Sequence, residues 1–108
     1  MITVSAEIDG GSYALSLRGH AGYNPGNDPV CAGVSSLLFA LLGYLRNNSG
    51  HITEVRAMAY ESGEADIDLD GDMTLRPAFE MAVIGLLQIA QKYPENIFLK
   101  NIIITEDF

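Results

Sequence analysis

The chain has 108 residues, 48% of them hydrophobic and 19% charged, which is enough for one hydrophobic core and too little for two. We therefore expect a single domain over residues 1–108. The formal net charge of −8 argues against direct binding to nucleic acid, because phosphate contacts need clustered Lys and Arg and the chain has only six, scattered along it. An acidic surface would instead attract a basic polypeptide. The single cysteine excludes an internal disulfide framework and suits a reducing cytoplasm.

Two strands joined by a turn are predicted at the start of the chain. Residues 2–8 alternate between apolar and polar side chains, and residues 13–19 alternate again after the turn sequence Asp9-Gly10-Gly11-Ser12. The pair is typical of a β-hairpin. His20 would follow the end of the second strand, which is a rigid place to hold a general base.

A loop rich in Gly, Asn and Pro, residues 21–27, comes directly after His20. It is either a plain connector or, because it joins two candidate catalytic groups, a lid or substrate-binding element that orders on binding. Gly22, Tyr23 and Gly26 are the candidate substrate-loop residues. Tyr23 could contact substrate, although an aromatic residue in a loop is often only local packing.

A helix is predicted to begin at Asp28-Pro29. Asp is a favoured N-cap, Pro is favoured at the first helical position, and an apolar run with helical spacing extends from Val30 to Leu45. Cys31 would then be the third helical residue, in a turn that has free N–H groups and a partial positive charge. Such a position, beside a histidine, can lower a thiol pKa and produce an activated nucleophile. The free N–H groups could also stabilise an oxyanion.

Each of these residues also has an ordinary structural interpretation. A lone Cys is more often a buried small hydrophobe than a nucleophile, and a lone His is more often a packing or surface residue. Asp28 is fully explained as a helix cap. A metal site is poorly supported by one Cys and two separated His, and a redox sensor would lack a resolving Cys within the chain. We predict no metal and no cofactor.

The middle of the chain predicts two further strands, over residues 53–60 and 64–70. Asp66, Asp68 and Asp70 resemble the start of a calcium loop, but they alternate with apolar residues, so we interpret them as a solvated strand face. His51 would lie at the far end of the first helix, about 30 Å from Cys31, and is interpreted as a surface loop residue. The uncharged run from Pro29 to Leu45 is too short to span a membrane, so a buried helix is expected.

A second helix is predicted after Thr74, its N-cap, with Pro77 at the third position. Its side chains are apolar nearly all round, which indicates burial on more than one side and suggests a symmetric dimer contact. The near-continuous apolar run in residues 97–105 predicts a last strand inside the sheet. The order ββαββαβ gives an α+β fold, with two helices packed on one face of a mixed sheet of about five strands.

Two half-motifs carry a family resemblance. The sequence Gly19-His20-Ala21 is followed, after a glycine-containing loop, by Asp28-Pro29-Val30-Cys31-Ala32-Gly33-Val34-Ser35. This arrangement resembles the ribosomal-processing cysteine protease family Prp, whose pattern is Gly-His-Ala, a short loop, then Asp-x-Val-Cys-Ala-(Ala or Gly)-x-Ser. Pro29 stands where an aliphatic residue is expected, and the likeness also covers the remaining elements in order and length.

The resemblance implies specific roles. It assigns the nucleophile to Cys31 and the general base to His20, while Asp28 either orients the histidine or caps the helix. The implied activity is that of a cytoplasmic, homodimeric cysteine endopeptidase with no membrane association. It would remove the N-terminal extension of a bacterial large-subunit ribosomal protein of the L twenty-seven family, cutting after an aromatic residue. The rival hypothesis is a non-catalytic, ribosome-associated binding module in which Cys31 is merely buried.

Overall fold

The computed structural model of the protein describes residues 1–105. Seven elements follow one another in the predicted order ββαββαβ, and two short 3-10 helices, Ser49–His51 and Met73–Leu75, precede β3 and α2. The bounds are β1 Ile2–Asp9, β2 Ser12–Arg18, α1 Pro29–Asn47, β3 Ile52–Glu61, β4 Glu64–Gly71, α2 Arg76–Lys92 and β5 Ile97–Ile104.

The five strands form one mixed sheet in the order β3-β4-β2-β1-β5. β1 pairs antiparallel with β2 and parallel with β5, and β4 lies antiparallel between β2 and β3. The predicted α+β class, the strand number and the hairpin are confirmed.

One face of the sheet carries the core. Alternate side chains of β1, β2 and β4 are buried against α1 and α2, as the period-2 patterns predict. Tyr13 stacks on Phe79 of α2 with ring centroids 4.9 Å apart, which ties the second helix to the sheet. By length and composition alone, α1 and residues Met73–Lys92 could cross a membrane. Because their buried side chains form part of this core, we interpret both as core helices.

The structure contradicts two predictions about the second half of the chain. β5 does not lie inside the sheet but at its edge, where Phe98, Ile103 and Ile104 are exposed. Thr74 is not the cap of α2. Asp72 instead accepts the Thr74 N–H and caps the preceding 3-10 helix, so α2 begins at Arg76, with Pro77 as its second residue.

The second face of the sheet is open, and the aspartates of β4 lie on it. The Arg18 Nη2 atom is 2.8 Å from Asp66 Oδ2, and Arg56 donates to both oxygens of Asp70 at 2.8 and 2.9 Å. The interpretation of these aspartates as a solvated strand face is confirmed. The structure also shows that arginines of neighbouring strands pair with them.

The register between β2 and β4 determines which turn lies beside the end of β2. Arg18 pairs with Glu64, so the β3–β4 turn is adjacent to Gly19. The Gly19 N–H donates to the Gly63 carbonyl at 2.8 Å, and His20 follows immediately. Residues more than forty positions apart in the sequence therefore meet at this end of the sheet.

Candidate active site

Cys31 occupies the predicted position at the start of α1. Asp28 is the N-cap, Pro29 is the first helical residue and Cys31 is the third. The Val30 and Cys31 N–H groups donate to Asp28 Oδ1 at 2.9 and 3.2 Å, as expected of an N-cap aspartate. The Cys31 side chain is partly exposed, so the thiol lies at the positive end of the helix and within reach of solvent.

Asp28 also accepts hydrogen bonds from the glycine-rich loop. Its second oxygen, Oδ2, accepts the Tyr23 and Asn24 N–H groups at 2.9 and 3.1 Å. Burial by itself would raise the pKa of Asp28, but hydrogen bonds from these four N–H groups, including those of Val30 and Cys31, lower it below its ordinary value. The carboxylate is therefore held ionised as a link between helix and loop, and its hydrogen bonds in the described part of the chain go to backbone groups rather than to His20.

His20 lies just beyond the end of β2, and its ring packs against Gly63 in the β3–β4 turn. A Cβ atom on Gly63 would lie only 2.7 Å from His20 Nε2, and Gly63 has a φ of +76°. Glycine therefore meets two demands at this position: the left-handed backbone and the space for the imidazole. The turn is one wall of the site.

Ala21 contacts the sulfur directly. Its backbone N–H donates to Cys31 Sγ at 3.4 Å, and its carbonyl accepts from Asn96 Nδ2 at 2.9 Å. Because Ala21 follows His20 in the sequence, the residue that contacts the thiol is bonded to the candidate base.

His20 and Cys31 line two cavities together. The first, of about 90 Å³, extends along α1 and the β3–β4 turn, and Val34, Ser35, Leu38 and Tyr60 contribute to its walls. The second, of about 350 Å³, lies under the glycine-rich loop and is lined by His20, Gly22, Pro25, Gly26, Asp28 and Cys31. Both candidate catalytic residues therefore contribute to the walls of both cavities.

The candidate loop residues divide into two groups. Gly22 and Gly26 line the second cavity, both with positive φ. Tyr23 does not line either of these cavities. Its ring meets Tyr93 edge-on, with centroids 5.2 Å apart, just beyond the end of α2. The Tyr23 side chain is also 52% exposed, so this contact with Tyr93 leaves about half of it open to solvent.

The family model for the cysteine protease Prp matches residues 1–98 of the chain. The chain belongs to the Prp cysteine protease family. A comparison with curated proteins gave no match.

Solved structures of similar chains extend the match to three dimensions. The ribosomal processing protease Prp from S. aureus, in complex with a covalently linked product peptide, has a TM-score of 0.70 at 26% identity over 94% of this chain and 99% of that chain. The same protease with a substrate peptide gives a TM-score of 0.66 at 25% identity, with the same coverage. SMU.848 from Streptococcus mutans gives 0.69 at 25% identity, over 97% of this chain and 96% of that chain.

The expected oxyanion donors are not free in this member of the Prp family. The Val30 and Cys31 N–H groups donate to Asp28 Oδ1, the Ala32 N–H donates to the Asp28 carbonyl at 3.0 Å, and Pro29 has no N–H. The first turn of α1 is therefore already satisfied by its cap, contrary to the sequence-based expectation.

Several residues of this candidate site were missed by sequence reasoning. Gly63, Tyr60 and Asn96 lie far from the two half-motifs in sequence and reach the site only through strand pairing and the return of β5. The turn Glu61-Ser62-Gly63 was recognisable as a turn, but nothing local shows that it contacts His20. His51 is in a 3-10 helix and pairs with Asp72 at 2.8 Å, away from both cavities that contain Cys31. Within residues 1–105 no cluster of three or more His, Cys, Asp or Glu could hold a metal ion.

Proposed function

We propose that the protein is a cysteine endopeptidase that uses a Cys31–His20 dyad. The observation that carries the proposal is the joint placement of the two side chains between the same two cavities, with Cys31 at a helix N-terminus. His20 takes the thiol proton, and Sγ attacks the carbonyl carbon of the peptide bond. The proton passes from His20 to the departing amine, leaving a thioester that water hydrolyses. Residues 1–108 form one protease domain.

The proposed substrate is the N-terminal extension of a large-subunit ribosomal protein of the L twenty-seven family, removed during ribosome maturation. Two facts support this proposal. The S. aureus Prp structures hold a substrate peptide and a covalently linked product peptide, so a member of the family binds peptide. The net charge of −8 also suits a basic substrate protein and argues against direct contact with nucleic acid.

The first cavity is the proposed subsite for the aromatic residue that precedes the cut. Its lining includes the apolar side chains of Val34 and Leu38, which are nearly fully buried. Tyr60 also lines it, with its hydroxyl 2.7 Å from Ser35 Oγ and its ring centroid 5.2 Å from that of Phe39. An aromatic ring entering beside Cys31 would meet apolar side chains and an aromatic neighbour, as preferred for ring burial.

The glycine-rich loop closes the other side of the proposed substrate groove. Gly22 and Gly26 leave room for a peptide backbone, because a Cβ at either position would meet nothing within 4 Å. Asp28 supports the dyad indirectly, since it caps the helix that carries Cys31 and holds the start of the loop. These contacts support capping, rather than orientation of His20, as the proposed role of Asp28.

A cytoplasmic homodimer is the proposed assembly. Met81, Ile84 and Leu87 of α2 are exposed, although they lie on a helix whose opposite side forms part of the core. An exposed apolar face on a helix of a small domain suits a symmetric contact with a second copy. The single free cysteine is compatible with a reducing compartment.

The test uses a peptide that carries the extension and the junction of the ribosomal protein, with mass spectrometry as readout. The wild-type protein, Cys31→Ala and His20→Ala are incubated with the peptide in parallel. We expect cleavage at one bond after an aromatic residue by wild type alone. No cleavage by a folded wild-type protein whose thiol also alkylates slowly would refute the protease and leave the ribosome-associated binding module as the better hypothesis.

A further inference from the structure

The side chain of Asn96 connects the turn after α2 to the active site. Its Nδ2 atom donates to the Ala21 carbonyl at 2.9 Å, across 75 residues of sequence. The backbone of Asn96 is fixed on both sides, since its N–H donates to the Tyr93 carbonyl at 3.0 Å and its carbonyl accepts the Ile2 N–H at 2.9 Å. The amide group therefore projects from a fixed turn.

The chemistry of the contact determines the orientation of the Asn96 amide. A backbone carbonyl only accepts hydrogen bonds, so the group that faces the Ala21 oxygen must be the NH₂. An aspartate at position 96 would have nearly the same shape but would present an oxygen there. The contact can thus be removed, and replaced by repulsion, without leaving a cavity.

Ala21 connects Asn96 to both candidate catalytic residues. It is 2% exposed, its carbonyl is held by Asn96, and its N–H donates to Cys31 Sγ at 3.4 Å. It also follows His20 directly, so a rotation of the peptide would move the point from which the imidazole projects. One asparagine, outside both half-motifs, is therefore hydrogen-bonded to the residue that contacts the thiol and that follows the candidate base.

We propose that Asn96 is a positioning residue: through the Ala21 carbonyl it keeps the Ala21 N–H aimed at Cys31 Sγ, which favours the thiolate over the thiol. The inference rests on the proposed function, because it takes Cys31 as the nucleophile. A hydrogen bond to the ionised form of a group stabilises that form. The thiolate is the reactive form, so loss of the contact lowers reactivity most where little thiolate is present, at neutral and acidic pH.

The test is the rate of Cys31 alkylation by iodoacetamide between pH 5 and 9, followed by intact-protein mass spectrometry. Wild type is compared with Asn96→Asp, Asn96→Ala and the control Asn101→Ala, which removes an exposed asparagine from the outer face of the same strand region. In both Asn96 variants we expect the half-maximal rate at higher pH and a rate at pH 6.5 about threefold to tenfold lower. Asn101→Ala should match wild type, and in the peptide assay the Asn96 variants should lose kcat more than they raise KM.

The outcomes separate this inference from the proposed protease activity. If wild type fails to cleave but its alkylation profile shifts in the Asn96 variants, the positioning role stands and the protease fails. If wild type cleaves and the folded Asn96→Asp profile superposes on that of wild type, the positioning role is overturned. A shift of equal size in Asn101→Ala would overturn it as well.

A second measurement needs no variant and covers the case in which the Asn96 variants do not fold. In wild-type protein labelled with ¹⁵N, the Ala21 amide proton should shift downfield as Cys31 ionises, because its hydrogen bond to sulfur strengthens. The Asn96 side-chain amide protons should titrate over the same pH range. An Ala21 amide that does not move while the thiol titrates would refute the proposal.

Discussion

The Tyr23 N–H donates to Asp28 Oδ2 across 2.9 Å, so the carboxylate that caps the cysteine-bearing helix also holds the glycine-rich loop. Asp28 Oδ1 accepts hydrogen bonds from N–H groups of the helix, and Asp28 Oδ2 accepts hydrogen bonds from N–H groups of the loop. A substitution that changes only one oxygen can therefore separate the two functions.

Asp28→Asn is the substitution that changes only one oxygen, because it replaces one carboxylate oxygen by an NH₂ group. Asn caps helices about as well as Asp, so with its oxygen toward Val30 the helix start is retained. Its NH₂ group would then face the Tyr23 and Asn24 N–H groups and could not accept from them. We expect faster amide hydrogen exchange at Tyr23 and Asn24, little change in Tm, and cleavage of the peptide at least about tenfold slower, because the loop no longer holds the substrate in register.

Asp28→Ala is the companion variant, since it removes both acceptors. It should lose thermal stability as well as activity, because the helix loses its cap. Equal Tm values for Asp28→Ala and wild type would show that the cap contributes nothing to stability. Unchanged exchange at Tyr23 in Asp28→Asn would show that the loop is held by other contacts.

Most of the fold was predictable because local patterns and tertiary packing agree. The alternation in β1, β2 and β4 follows the buried face of the sheet, and Asp28-Pro29 marks the start of α1 correctly. The prediction failed for β5 because Phe98 and Ile103 are apolar yet face outward at a sheet edge. An apolar run shows which side chains could be buried. It does not show which of them the strand order leaves exposed at a sheet edge.

The candidate site was predictable only where its residues are close in sequence. His20 and Cys31 lie on either side of one loop, so spacing and chemistry point to both. Asn96 and Gly63 reach the site through the parallel β1–β5 pair and the β2–β4 register, which no local pattern specifies. The oxyanion expectation failed because Asp28 satisfies the helix N–H groups that were counted as free.

The close packing of Gly63 against His20 predicts that Gly63→Ala loses activity by displacing the imidazole. A Cβ there would lie 2.7 Å from Nε2 at a φ of +76°. The left-handed backbone should cost roughly 1–2 kcal/mol of stability, measured by urea unfolding. Gly10→Ala is the matched control, with φ at +57° in the turn at the other end of β2, about 20 Å away.

Both glycine variants should lose stability through the left-handed backbone, but only Gly63→Ala should lose cleavage, by more than about tenfold. The comparison removes backbone strain as an explanation. Equal activity of the two variants would mean that the Gly63 contact does not set the position of His20.

The proposed aromatic subsite predicts different effects for two adjacent serines. Ser35 lines the first cavity, whereas the exposed Ser36 hydroxyl donates to the Ala32 carbonyl at 2.9 Å. Ser35→Phe should fill the cavity and raise KM for the aromatic peptide by about tenfold or more, while Ser36→Phe should leave KM near the wild-type value. A KM that responds equally to both would place the aromatic side chain elsewhere.

The ion pair between Arg56 and Asp70 predicts how stability depends on acid pH. Hydrogen bonds, mainly the two from Arg56 and also one from the Ser12 hydroxyl, lower the pKa of Asp70 from 3.8 to about 2. Because the pKa of the folded state is the lower one, the stabilisation is fully present above about pH 4 and is lost as pH falls toward 2. Arg56→Met should therefore reduce Tm at pH 7, and the Tm difference between pH 7 and pH 2.5 should be smaller than in wild type.

Arg46→Met is the control for loss of a positive charge, since Arg46 makes no ion pair within residues 1–105. It should keep the acid dependence of wild type. Because both partners of the Arg56 pair are partly exposed, 1 M salt should weaken the effect. An Arg56→Met variant as acid-sensitive as wild type would assign the acid response to other carboxylates.

The exposed apolar face of α2 predicts a dimer that one charge should dissociate. Met81 is 72% exposed and Ile84 54%, so Met81→Glu and Ile84→Glu cost the monomer little but bury a carboxylate in the proposed contact. By sedimentation over a concentration series, wild type should approach twice 11.7 kDa and each variant should remain near 11.7 kDa. Ile103→Glu is the control, because Ile103 is 51% exposed but lies on the open face of the sheet, opposite the helices. It should dimerise as wild type does, and a wild-type protein that sediments only as an 11.7 kDa species would remove the dimer from the proposal.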